Sequence, residues 1–146
     1  METVFSFENV PVNERLMFLG KPLSLQRYDQ PKYQKSMDLW RQQEDFRWMP
    51  DRYSLIKDRT DYENLGEIER FVFETNLRWQ TATDSLLSRS IHQVSSYITN
   101  PELELCVGIW AAMENVHSFS YTYILQSITK NSTKFFDSIL EDKELQ

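Results

Sequence analysis

A chain of 146 residues suits one domain with a core of useful size, and four Trp, seven Tyr and nine Phe exclude a disordered polypeptide. A net charge of −6 without any Lys/Arg-rich run excludes nucleic acid as the main partner, and a single cysteine, Cys106, excludes an internal disulfide framework. No signal peptide or bilayer-length apolar stretch is present, so the chain reads as soluble and cytoplasmic, with no membrane partner.

Three glycines, five prolines and long segments of 3.6-residue period make the fold class all-α. Residues 1–30 lack sustained periodicity and carry Pro11, Gly20 and Pro22, which predicts an extended amino-terminal arm. The remainder, 31–146, should be helical. Pro31 is the expected first residue of a helix reaching about Phe46, and Met49-Pro50-Asp51 should break it. Residues 50–65 read as a polar connection closed by Gly66. A long helix follows from about Glu67 into the nineties, with Phe73, Leu77, Asp84, Leu87 and Ile91 on one face. Asn100-Pro101-Glu102 reads as an N-cap, a first helical residue and an acidic first turn of a helix over 101–129. Asn131-Ser132-Thr133 matches a glycosylation sequon but reads more simply as a helix boundary. It opens a short last helix, about Ser132 to Leu140, ahead of a polar tail.

The most informative segment is Glu114-Asn115-Val116-His117. At about 100° per residue, Leu103, Val107, Trp110, Glu114, His117, Tyr121, Leu125 and Ile128 share one narrow arc of the helix. Six of these eight are apolar or aromatic; the other two are a carboxylate and an imidazole one turn apart. A buried ionised carboxylate is heavily destabilising unless something neutralises it. A metal ion does so for a Glu–His pair three residues apart, because both side chains lean to the same side. Glu-x-x-His on a bundle helix is half of the ligand pattern of di-iron and di-manganese carboxylate proteins. The bland alternative is a Glu–His hydrogen bond at a helix contact.

Asp84 repeats the anomaly on the preceding helix, among Phe73, Leu77, Leu87 and Ile91. Two antiparallel helices, each with a carboxylate midway along an apolar stripe, can bring both to one point. Asp84, Glu114 and His117 would then offer two oxygens and one nitrogen, a set that suits iron or manganese. Tyr121 lies one turn beyond His117, close enough to exchange an electron with such a metal; its bland alternative is a core tyrosine bonded to Asp84 or to backbone. Tyr123 points to the opposite face. His92 has no acid at ligand spacing and reads as structural, and Cys106 packs as a small hydrophobe.

These residues, with others in order along the chain, resemble the radical-generating small (beta) subunit of class I ribonucleotide reductase. Leu16-Met17-Phe18-Leu19-Gly20 with Gln26-Arg27-Tyr28-Asp29 is similar to the family's arm, and Phe46-Arg47-Trp48-Met49-Pro50 to its tryptophan segment. Asn76-Leu77-Arg78-Trp79-Gln80 with Asp84-Ser85 is similar to its first ligand helix. Glu114-Asn115-Val116-His117-Ser118 with Ser120-Tyr121-Thr122 is similar to its second.

The resemblance implies a ferritin-like helical bundle, of which residues 1–146 would be the amino-terminal part. It implies that Asp84, Glu114 and His117 ligate the first iron of a di-iron centre, with manganese possible, and that Glu114 bridges to the second. Tyr121 would be the radical residue and Trp48 the electron-transfer residue. The partners it implies are the large subunit, which reduces the nucleotide, and a second copy of the small subunit. A complete centre needs two more carboxylates and another Glu-x-x-His. After His117 come Asp137, Glu141, Asp142 and Glu144 and no further histidine. The expectation is therefore half a site, inactive alone and completed by a complementary carboxy-terminal half. The rival readings are a ferritin-like di-metal carboxylate protein of other function, which leaves Tyr121 and Trp48 unexplained, and a non-catalytic partner-binding remnant, which leaves the ligands unexplained.

Overall fold

The computed structural model describes residues 8–21 and 25–143. Among the described residues five α-helices follow one another: α1 (Gln34–Asp45), α2 (Ile56–Glu63), α3 (Glu67–Ser95), α4 (Pro101–Ile128) and α5 (Ser132–Glu141). Short 3-10 helices cover Val12–Glu14 and Pro50–Arg52, and an isolated antiparallel bridge joins Phe18 to Ile98. The architecture is all-α, as in the helical bundle of the ferritin-like proteins. No helix among the described residues is long and apolar enough to cross a membrane.

Helices α3, α4 and α5 begin where capping chemistry predicts. Asn100 Oδ1 accepts from the Leu103 N–H at 2.8 Å, and Pro101 opens α4 where no amide donor is needed. Asn131 caps α5 through the Lys134 N–H at 3.0 Å, so the sequon is a helix boundary. Glu69 Oε2 accepts from the Gly66 N–H at 3.0 Å at the start of α3.

Two compact units divide the chain: Met1–Arg47 with Arg89–Met113, and Trp48–Ser88 with Glu114–Gln146. In the first, Val10, Met37, Ile91, Ile109 and Ala111 are buried. The arm is held by backbone and side-chain bonds: Leu19 N to Tyr97 O at 2.9 Å, Thr99 N to Met17 O at 3.0 Å, and Gly20 N to Thr99 Oγ1 at 2.8 Å. Arg15, itself buried, donates to the carbonyls of Val10 and Gln30. Cys106 is half-buried beside Gln43, and burial pushes its thiol pKa up. In the second unit, Leu77, Leu125, Phe135 and Ile139 form the core, with Ala82, Tyr121, Ile124 and Phe136 against it.

Four expectations are corrected. Helix α1 starts at Gln34 and not at Pro31, because Lys32 and Tyr33 donate to the Arg15 carbonyl at 2.7 and 3.3 Å and hold that stretch off the helix. The polar connection over 50–65 contains α2, which has no apolar stripe of its own and is held by side chains of α3. Tyr62 Oη donates to Glu74 Oε1 at 2.7 Å, and Arg70 donates to the carbonyls of Tyr62 and Glu63 at the end of α2. Trp110, placed on the buried arc by its phase, is 44% exposed, because the flanking Ile109 and Ala111 are the residues that face the core of the first unit. Phe73 sits at the margin of its face, 38% exposed, its ring 5.9 Å from that of Tyr62 and tilted by 60°. Pro22, the arm at 1–7 and 22–24, and the tail at 144–146 lie outside the described residues.

Candidate metal centre

Helix α3 carries Asp84 about two turns beyond the buried Leu77, and α4 carries Glu114 on the turn before His117. The second unit brings all three together: one donor atom from each of Asp84, Glu114 and His117 lies within 4.8 Å of the others. His117 Nδ1 is 3.2 Å from Glu114 Oε2 and 3.7 Å from Asp84 Oδ2. Glu114 is 6% exposed, Asp84 half-buried, and the His117 ring open on one side.

The donor set fits a small, hard-to-borderline divalent cation. Two carboxylate oxygens and one imidazole nitrogen converge on a space that one ion would fill, and an ion there would offset the close approach of two acids. The Glu114–His117 hydrogen bond expected of the bland alternative is also present, as is the bond from Tyr121 to Asp84.

Tyr121, one turn beyond His117, donates its hydroxyl to Asp84 Oδ2 at 2.5 Å. Burial pushes the phenol pKa far above its ordinary value, reinforced by the bond to Asp84 and by the charges of Asp84 and Glu114. A cavity of about 420 Å³ borders the same ring, lined by Leu55, Tyr62, Phe73, Leu77 and Ile124 among others. The Trp48 indole lies 6.3 Å from the His117 ring, centroid to centroid, at an interplanar angle of 34°. Periodicity linked Asp84, Glu114, His117 and Tyr121, whereas nothing in residue spacing placed Trp48 beside them. Tyr123 faces away, its hydroxyl donating to the Tyr53 carbonyl at 2.6 Å. His92 is exposed and takes no part in the cluster. The Tyr62–Glu74 pair went unread in the sequence, since a tyrosine in a polar connection and a glutamate on a helix carry no shared period.

A profile of the family described as "Ribonucleotide reductase, small chain" matches residues 26–146. The chain is 36% identical over 144 residues to a ribonucleoside-diphosphate reductase subunit beta of Buchnera aphidicola subsp. Acyrthosiphon pisum, covering 98% of this chain and 38% of that protein. It is 39% identical over 131 residues to the ribonucleoside-diphosphate reductase 1 subunit beta of Escherichia coli O157:H7, covering 89% of this chain and 35% of that one. The chain thus spans little more than a third of the length of these relatives. Its fold is similar to a ribonucleotide reductase R2 subunit from Clostridium botulinum, with a TM-score of 0.88 and 25% identity over 99% of this chain and 46% of that one. A ligand-type cluster, a tyrosine bonded into it and a match along nearly the whole chain agree, and the chain belongs to the ribonucleotide reductase small-chain family.

Proposed function

We propose that this chain is the amino-terminal portion of a ribonucleoside-diphosphate reductase small subunit, contributing half of a di-iron site and the radical tyrosine. The observation that carries this reading is the convergence of Asp84, Glu114 and His117 with the Tyr121 hydroxyl bonded to the first of them. Asp84, Glu114 and His117 would hold iron, with manganese the alternative ion, and Glu114 would reach a second ion. The bound metal pair would supply the oxidising chemistry of dioxygen reduction.

The chain's own residues do the rest. Tyr121 gives up one electron, and its phenolic proton has an acceptor in place at Asp84 Oδ2. The apolar side chains of Leu77, Leu125 and Ile124 pack about the ring. Trp48, packed by His117, carries the electron that the site needs during activation. A large subunit would bind and reduce the nucleotide, a complementary carboxy-terminal half would bring the missing ligands, and two small subunits would pair as a homodimer. The expected location is the cytoplasm, and the chain alone is expected to be inactive.

Anaerobic titration with ferrous iron tests the half-site. Three protein ligands leave most of each coordination sphere to water, so the isolated chain should bind iron weakly, and addition of the complementary half should tighten binding to two irons. Two tightly bound irons per isolated 146-residue chain would overturn this reading.

A further inference from the structure

We propose that Tyr62 is a second oxidisable tyrosine, exchanging an electron with Tyr121 and giving its phenolic proton to Glu74. The inference rests on the radical reading of Tyr121 and adds a second position for the same oxidising equivalent.

Two tyrosines of the second unit, each bonded to a carboxylate of α3, line one cavity. Tyr121 donates to Asp84 Oδ2 at 2.5 Å and Tyr62 to Glu74 Oε1 at 2.7 Å, and both rings border the same 420 Å³ space. Both acids project from α3, ten residues apart in sequence, or about 15 Å along a helix axis at 1.5 Å per residue. The Phe73 ring, 5.9 Å from Tyr62, and Leu77 line the same cavity.

The surroundings of Tyr62 require electron and proton to leave together. The Arg70 guanidinium stands 4.7 Å over its ring, which makes a cationic tyrosine costly. A neutral radical escapes that cost, provided the phenolic proton moves away at the same time. Glu74 Oε1 is the atom placed to take it, while Arg78 Nη2 lies 3.4 Å from the other oxygen, Oε2. In the transfer, Tyr62 loses one electron and one proton, the proton going to Glu74. The neutral tyrosyl radical at Tyr121 gains that electron and one proton across its hydrogen bond with Asp84, becoming a phenol again. One radical disappears and one forms.

The alternative is that the Tyr62–Glu74 bond does no more than dock α2 on α3. Electron paramagnetic resonance of the assembled, iron-loaded protein with 3-aminotyrosine in place of Tyr62 separates the two, because the amino group makes that ring the easier one to oxidise. The expected result is loss of the Tyr121 signal with matching growth of an aminotyrosyl signal, and a solvent deuterium isotope effect on the transfer. Glu74→Gln in the same background should slow the transfer on the order of 100-fold, the usual weight of a positioned proton acceptor. A Tyr121 signal that persists unchanged beside 3-aminotyrosine at position 62 overturns the proposal and leaves the radical reading standing. So does a transfer rate indifferent to Glu74→Gln in a protein whose melting temperature falls. Absence of any tyrosyl signal in the unsubstituted, loaded protein would overturn the radical reading itself.

Discussion

The hydroxyl of Tyr121 and the carboxylate of Asp84, 37 residues apart in sequence, share a hydrogen bond of 2.5 Å between α4 and α3. That bond ties the tyrosine to a member of the ligand cluster, so whatever changes the charge on Asp84 is felt at the phenol. It also gives Asp84 a partner when no cation is bound, which offsets part of the cost of placing an acid in an apolar face.

Replacing Tyr121 by Phe removes one oxygen and keeps the ring. With Asp84 left short of a donor, the chain should lose about 1–3 kcal/mol of stability, the usual worth of a hydrogen bond to a charged group. The assembled, loaded protein should still bind iron but show no tyrosyl resonance. Tyr123→Phe is the control: it loses a bond to the Tyr53 carbonyl on the opposite face and should keep the resonance. A signal lost in Tyr123→Phe and kept in Tyr121→Phe would reverse the assignment.

Alkaline titration should expose the perturbed phenols. Tyr121, Tyr62 and Tyr28 are all raised, each first by burial, so the fold favours their neutral forms. Between the unfolded value near 10 and the higher folded values, the unfolded chain binds fewer protons than the folded one, and stability falls as pH rises. That contribution is fully present below pH ~10. Thermal melts from pH 8 upward should show a decline above that point, shallower in Tyr121→Phe; an identical slope in both proteins would refute the assignment to Tyr121.

Glu102 is 0% exposed at the first turn of α4, and neither of its carboxylate oxygens has a hydrogen-bond partner. The Nδ2 donor of the neighbouring Asn100 is also unpartnered. Removing the carboxyl group while keeping the shape should therefore help. Glu102→Met, which removes both unpartnered oxygens at similar length, is expected to raise stability by about 1–3 kcal/mol, the usual penalty of an unsatisfied buried polar group. Urea denaturation measures it, and a loss of similar size would mean that the acid has a partner in solution.

Gly20 leaves no room for a side chain. An added Cβ would stand 2.8 Å from Thr99 Oγ1 and 3.1 Å from Leu16 Cβ, displacing the hydroxyl that accepts from the Gly20 N–H. Gly20→Ala should cost about 1–3 kcal/mol as an overpacked contact, and should make the bond between 19 and 20 more sensitive to limited proteolysis.

Local chemistry was enough to read α1, α3, α4 and α5 from the sequence, because caps and period act within a few residues. Asn100 with Pro101 and Asn131 mark helix starts wherever they sit, and the (i, i+3) spacing of Glu114 and His117 puts both on one side of any α-helix. The misplaced acid at Asp84 was legible for the same reason. What period cannot say is which faces meet. Trp110 has the phase of a core residue yet is exposed, since its neighbours Ile109 and Ala111 pack instead. Glu102 has the look of a solvated first-turn acid yet is fully buried. Helix α2 has no stripe to betray it and owes its place to Tyr62, Arg70 and Glu74. The approach of Asp84 to His117, of Trp48 to the same ring and of Tyr62 to the cavity beside Tyr121 are long-range juxtapositions. The tertiary structure alone decides them, because the burial that drives packing is non-directional and leaves the choice of partner to the fit of the whole fold.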